Sequence, residues 1–185
     1  MNHGQILEPL IGIARTAGDA ILKIYAGDFE ARDKADSSPV TEADDRAEEI
    51  ILTALAALTP DIPAVSEEAA SRGGVPRVGA RFWLVDPLDG TREFVSRNGE
   101  FTVNIALIEG GEPSLGVVLA PALGRAFGGA RGAGAFVEQN GRRRAIACRR
   151  PPAEGLTVVS SRSHGDREAL QIFLAGRQVA SSTFA

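Results

Sequence analysis

The sequence predicts an α+β fold in which two N-terminal helices pack on a largely antiparallel sheet. Three observations carry this expectation. Two stretches near the N-terminus repeat apolar residues at three- and four-residue steps, the period of a helix with one buried face. Residues 82 to 138 are a succession of short β-prone runs punctuated by glycine turns. Pro151-Pro152 then breaks the chain ahead of a strand-then-helix pattern, which sets residues 1–150 as one domain and residues 151–185 as the start of an α/β unit.

The first helix is read from Ile6, Leu7, Leu10, Ile13, Ala14, Ala17, Ile21 and Ile24, and it ends near Gly27. Phe29 to Ser38 is polar and turn-rich, a weak strand or a mobile loop. Pro39 leads to Thr41, a good N-cap for a second helix with an apolar stripe of Ala47, Ile50, Ile51, Ala54, Leu55 and Leu58. Ile62 to Glu68 is an apolar run ending in two acids, and Ser71 to Arg81 reads as a surface loop. Phe82 to Val85 has the pattern of a buried strand. Phe101 to Glu109 and Leu115 to Leu119 form a hairpin or meander about Gly110-Gly111. Phe127 to Ala130 and Ala135 to Glu138 are two further strands, followed by a turn at Asn140-Gly141 and a solvated basic tip at Arg142 to Arg144. In the last unit, Leu156 to Ser160 is a strand and Asp166 to Leu174 a helix capped by Ser163 or Asp166.

The chemistry concentrates in W-L-V-D-P-L-D-G-T, residues 83–91. Asp86 stands where the strand ends, because Pro87 cannot continue a sheet, and Gly90 permits a tight turn. Asp86 and Asp89 are three residues apart, so one turn brings both carboxylates to the same point, with the Leu88 carbonyl between them. Carboxylates and a carbonyl, with no Cys or His, suit a hard cation, Mg²⁺ ahead of Zn²⁺. The N–H groups of Gly90 and Thr91 can open a helix and face an anion. Asp44 admits two compatible roles. It is the N3 member of a capping box with Thr41. It also shares a helical stripe with Ala47 and Ile51, which points its carboxylate toward the core, where it needs a partner. Glu67 and Glu68 read as a solvated turn, or one of them as a third acidic ligand beside Asp86 and Asp89.

Composition narrows the classes. Hydrophobic residues make up 44% of the 185, so the chain is globular. A net charge of −4, from 20 basic and 24 acidic residues, gives no electrostatic case for binding a nucleic acid polymer. Cys148 is the single cysteine, so no internal disulfide forms and a reducing compartment fits. Glu8, Arg15 and Asp19 interrupt the apolar N-terminus, unlike a signal peptide, and no apolar run is long enough to be a transmembrane segment. The expectation is a cytoplasmic chain.

V-T-E-A-D at 40–44, S-E-E at 66–68 and the 83–91 string together resemble the motif series of the inositol monophosphatase superfamily of Mg²⁺-dependent, lithium-sensitive phosphatases. K-A-D-S-S-P-V-T at 34–41, R-N-G-E-F-T-V-N-I-A-L at 97–107 and S-R-S-H at 161–164 resemble its 3′(2′),5′-bisphosphate nucleotidase branch of the bacterial CysQ type. The resemblance implies a layered sugar-phosphatase-like fold. It implies a nucleotide bisphosphate substrate, 3′-phosphoadenosine 5′-phosphate hydrolysed to AMP and phosphate, within sulfur assimilation. The rivals are an inositol-1-monophosphatase-like sugar phosphatase and an inactive truncated product. Two or three Mg²⁺ ions are implied. Glu67, Asp86 and the Leu88 carbonyl would hold one, and Asp86 with Asp89 a second. Asp44 with Thr91 would orient and deprotonate the attacking water, with Glu67 also serving catalysis. Asp89, Gly90 and Thr91 would hold the phosphate, and Ser161 and His164 would touch the nucleotide, although His164 also reads as an ordinary polar turn residue. Arg92 stands where that branch commonly has lysine. A later G-S-S-x-x-K-like stretch and a Trp-Asp pair of the family have no counterpart here. The resemblance therefore implies an N-terminal portion that binds Mg²⁺ weakly, exposes apolar surface and turns over little.

Overall fold

The computed structural model describes residues 3–33, 39–161 and 166–184. The chain divides into two compact units, Met1–Ala147 and Cys148–Ala185.

The first unit opens with α1 (His3–Ala26), whose buried stripe is Ile6, Leu10, Ala14, Ala17 and Ile21. Short strands β1 (Ala31–Asp33) and β2 (Pro39–Thr41) pair antiparallel. The polar segment after Phe29 is thus partly strand, while the K-A-D-S-S residues 34–38 lie outside the described residues. Thr41 caps α2 (Glu42–Leu58), accepting from the Ala43 N–H at 3.2 Å and donating its own N–H to Asp44 at 2.7 Å. β3 (Ala64–Ser66) runs into a five-residue helix, α3 (Glu67–Ser71), where the sequence suggests only a turn. Then come β4 (Arg81–Asp89), the single-turn helix α4 (Thr91–Val95), β5 (Thr102–Glu109), β6 (Glu112–Ala120), β7 (Arg125–Ala130), β8 (Gly134–Gln139) and β9 (Arg142–Ile146).

These strands form a seven-stranded sheet in the order β3-β4-β5-β6-β7-β8-β9. The pair β3–β4 is parallel and the rest are antiparallel. Gly110-Gly111 and Asn140-Gly141 have positive φ at both central positions, the backbone that a two-residue hairpin requires. One face of the sheet carries Trp83, Val85, Val103, Ile105, Leu107, Leu115, Val117 and Leu119, all buried in a common core with α1 and α2. A Cβ on Gly18 of α1 would stand 2.6 Å from Leu119 Cδ2, so glycine there lets the helix sit close on β6. Trp83 is fully buried, and its indole N–H donates to Thr59 Oγ1, at the end of α2, at 2.8 Å. On the opposite face Leu84 and Val118 are 47% and 42% exposed.

Three expectations need correction. β4 does not stop at Asp86. It continues to Asp89 because an irregularity absorbs Pro87: Asp86 pairs with Asn104 and Asp89 with Thr102, three steps on β4 against two on β5. Arg142 to Arg144 is not a free basic tip but part of the edge strand β9, where Arg143 pairs with Glu8 and with Glu138 at 2.9 Å and lies over the Phe136 ring. Among its described residues the second unit holds two strands rather than one. β10 (Leu156–Ser160), α5 (Arg167–Leu174) and β11 (Val179–Phe184) form a βαβ unit with parallel strands, and Asp166 caps α5 through the Glu168 and Ala169 N–H groups. β11 reads V-A-S-S-T-F, and its small polar side chains hide a strand that exists through pairing with β10.

Among the described residues no helix is long and apolar enough to cross a membrane.

Candidate active site

The site begins at the N-terminus of α2. Asp44 has no solvent exposure, and its carboxylate is fully engaged. Oδ2 accepts from the Thr41 N–H at 2.7 Å and the Thr41 hydroxyl at 2.8 Å, while Oδ1 accepts from the Thr91 hydroxyl at 3.0 Å. Burial raises its pKa, opposed by these hydrogen bonds from Thr41 and Thr91. Thr91 Oγ1 also lies 3.2 Å from the Leu88 carbonyl. One hydroxyl proton cannot serve both acceptors at once, so Thr91 stands between a carboxylate and a carbonyl as a two-way proton donor.

Thr91 is held there by its neighbours. Gly90 adopts φ 90°, ψ 42°, and a Cβ would approach Glu100 O to 2.9 Å, so both conformation and space demand glycine. The following turn, α4, is pinned by Phe94. That ring packs against Tyr25, Phe29 and Phe101 at centroid distances of 5.1, 4.7 and 5.2 Å. Arg97 closes the cluster: it lies 4.6 Å over the Phe29 ring and donates to the Gly27 carbonyl at 2.6 Å and to the Tyr25 carbonyl, at the end of α1.

The acids gather around the irregularity in β4. Parallel pairing of Ser66 with Val85 sets Glu67, the first residue of α3, beside Asp86. Asp86 is half-buried and its pKa is pushed up to about 8, first by burial, then by the negative charges of Glu67 and Asp89. The Leu88 N–H offers partial relief. Asp86 Oδ1 is buried without a hydrogen-bond partner. Asp89 Oδ2 accepts from the Asn104 amide at 3.0 Å, and Asn104 Oδ1 is itself buried without a hydrogen-bond partner. Of the two glutamates, Glu67 is exposed and bears on Asp86, whereas Glu68 is buried.

Among the described residues no three acidic, histidine or cysteine side chains are drawn together into a ready-made cage. The donor set nevertheless fits a hard divalent cation. It comprises carboxylates, a main-chain carbonyl and an orphaned carboxylate oxygen, and a cation relieves both the burial and the mutual repulsion that lift the Asp86 pKa.

The structure therefore brings Asp44, Glu67, Asp86, Leu88, Asp89, Gly90 and Thr91 into one neighbourhood. The nucleotide-contact candidates belong to the second unit. Ser161 is exposed in the second unit, and His164, with Ser163, lies outside the described residues. Sequence reading missed Asn104 as an individual contributor. Its signal was positional: a polar side chain within the apolar run F-T-V-N-I-A-L-I, which register places opposite Asp86.

A model of the inositol monophosphatase family matches residues 2–183. The chain is 49% identical over 167 residues to the 3′(2′),5′-bisphosphate nucleotidase CysQ of Escherichia coli K12 and 52% identical over the same length to that of Salmonella typhimurium LT2. In each case the match covers 88% of this chain and 66% of the relative, so the chain spans just under two thirds of the length of these relatives. Among solved structures, CysQ from Bacteroides thetaiotaomicron, described as a bacterial member of the inositol monophosphatase family, superposes with a TM-score of 0.72 at 31% identity, covering 95% of this chain and 70% of that one. An IMPase from Thermotoga maritima superposes with a TM-score of 0.76 at 27% identity, covering 94% and 65%.

Proposed function

The chain belongs to the inositol monophosphatase family, and from that premise we propose that it carries the metal-binding and water-activating groups of a phosphomonoesterase acting on a nucleotide bisphosphate. The substrate is a 3′(2′),5′-bisphosphate nucleotide such as 3′-phosphoadenosine 5′-phosphate, cleaved to AMP and phosphate. Identity near 50% to nucleotidases supports this choice over an inositol phosphate. One observation carries the mechanism. The Thr91 hydroxyl reaches Asp44 across 47 residues of sequence, directly beside the acids of β4.

Glu67, Asp86, Asp89 and the Leu88 carbonyl would hold Mg²⁺, two or three ions in all. Bound there, divalent cations supply charge neutralisation of the phosphate and a lowered pKa for water. The chain's own groups do the rest. A water beside Thr91 gives its proton to Oγ1 as the Thr91 proton passes to Asp44 Oδ1. The burial-raised pKa of Asp44 makes it a better proton acceptor than an exposed aspartate. The two bonds from Thr41 to Oδ2 keep the carboxylate from turning away as it takes the proton. The water oxygen then bonds to phosphorus as the bond from phosphorus to the ribose oxygen breaks, and the ribose oxygen leaves with that electron pair and takes a proton from solvent water to become the hydroxyl of AMP. Gly90 and Thr91 lie where the departing phosphate is held, and Ser161 and His164 are the candidate nucleotide contacts.

Phosphate release with 3′-phosphoadenosine 5′-phosphate and with inositol 1-phosphate, each with and without Mg²⁺, tests this reading. The expected result is Mg²⁺-dependent release favouring the nucleotide, inhibited by Li⁺ and lost in Asp44→Asn. Release that persists in EDTA, or a preference for the inositol phosphate, overturns it.

A further inference from the structure

Glu67 belongs to a helix that cannot hold itself in place. At five residues, α3 is far below the length at which a helix is stable alone. Its N-cap residue, Ser66, makes no side-chain cap, and the buried Ser66 hydroxyl has no hydrogen-bond partner. The first-turn N–H groups of α3 therefore need an acceptor from elsewhere.

That acceptor comes from α2. Glu48 is only 6% exposed and lies one turn beyond Asp44 on the same face. Its Oε1 accepts the Ala69 N–H, the third of α3, at 2.8 Å. Its Oε2 pairs with Arg72, the residue that ends α3. Arg72 reaches back to α2 a second time, donating to Asp45 Oδ1 at 2.9 Å, and Asp45 Oδ2 accepts from Arg32 at 2.8 Å. Both ends of α3 are thus tied to the turn of α2 that also presents Asp44 to Thr91.

We propose that Glu48, with Arg72 as its counter-ion, is a positioning residue that sets Glu67 against Asp86 by capping α3 in place of Ser66. One helix, α2, then fixes both halves of the site: Asp44 orients the hydroxyl of Thr91, and Glu48 one turn later orients the segment bearing the third acid. The cap is a carboxylate on a helix N-terminus, so charge strengthens the contact. The Glu48 carboxylate is taken up by the Ala69 N–H and Arg72. It acts through the register of α3, as groups behind a metal ligand commonly do.

This inference rests on the reading of Glu67, Asp86 and Asp89 as cation ligands, and the test separates the two. Mg²⁺ affinity is measured by titration calorimetry on the full chain, alongside thermal melting. Glu48→Ala is expected to weaken Mg²⁺ binding by about tenfold. Glu48→Gln keeps an oxygen for the Ala69 N–H and recovers most of the loss. Val137→Ala, in β8, lowers the melting temperature but leaves Mg²⁺ affinity at the wild-type value. Arg72→Ala, at a half-exposed side chain, gives a smaller loss in the same direction and carries the test if Glu48→Ala fails to fold. The proposal is overturned if Glu48→Ala, or in its absence Arg72→Ala, binds Mg²⁺ as wild type does, or if Val137→Ala loses as much affinity as they do. Asp86→Asn discriminates the premise. Its loss of binding with the α3 variants unaffected sinks the cap alone, whereas unchanged Mg²⁺ affinity in Asp86→Asn removes the metal site and this inference with it.

Discussion

Replacing Asp86 by asparagine is expected to stabilise the metal-free chain while removing its response to Mg²⁺. The shape of the side chain is kept and the charge is lost. The carboxyl that ordinarily titrates near 3.8 is held at about 8, by burial first and then by Glu67 and Asp89. The folded chain therefore binds this proton more tightly than the unfolded chain does. Stability from this group is greatest below the unfolded value and falls as pH rises from about 4 to about 8. At pH 7 the unscreened cost approaches roughly 4 kcal/mol, at about 1.4 kcal/mol for each tenfold difference in proton affinity. Solvent at this half-buried position reduces it to about 2–3 kcal/mol. For a domain of this size that corresponds to a rise of about 5–10 °C in melting temperature for Asp86→Asn in EDTA. The wild type in Mg²⁺ at about a hundred times its dissociation constant gains about 2.7 kcal/mol, while the variant gains little. Scanning calorimetry from pH 5 to 8, with EDTA and with Mg²⁺, reads all of these quantities. A variant in EDTA at pH 7 that melts at or below the wild type would show that Asp86 is not a strained carboxyl, and one that keeps the wild-type Mg²⁺ shift would show that it is not a cation ligand.

Two further substitutions test what holds the site's frame. Gly18→Ala gains about 1 kcal/mol of helix propensity but places a methyl 2.6 Å from Leu119 Cδ2 and 3.2 Å from Pro121 Cβ. Overpacking of this kind costs about 1–3 kcal/mol, so the denaturation midpoint in urea should fall; a more stable variant would show that α1 can withdraw from β6 at no cost. Thr59→Val keeps the volume but strips the fully buried Trp83 indole N–H of its acceptor. The expected loss is about 1–3 kcal/mol, read as a lower urea midpoint with an unaltered slope, and a loss below about 0.5 kcal/mol would count against that bond as an anchor of α2.

Much of the frame was legible from residue order. The 3.6-residue recurrence in α1 and α2, the Thr41 cap and the glycine pairs at 110–111 and 140–141 are local signals, and the elements they imply are present. Where sequence reading failed, the deciding partner was distant. Pro87 reads as a strand terminus because a proline cannot extend a ladder, but β4 carries it in a bulge and resumes pairing with β5 at Asp89. Arg142 to Arg144 looked like solvated charge because Glu8 and Glu138, which receive Arg143, belong to α1 and β8. The V-A-S-S-T-F stretch carries no alternation of its own and becomes β11 only beside β10.

The site divides in the same way. Residue identity settles which groups are available: carboxylates at 44, 67, 86 and 89, a glycine where the backbone turns left-handed, and a hydroxyl at 91. Spacing along one helix also settled that Asp44 faces inward, since helical periodicity is a property of the backbone alone. It takes the packed fold to show that Asp44 meets Thr91, that Asn104 lies against Asp89, and that Glu48 caps α3 while Ser66 does not. Each of these contacts depends on which faces of two elements meet and in what register. That choice is made by burial of the shared core and by strand pairing, and neither the spacing nor the identity of the polar residues records it.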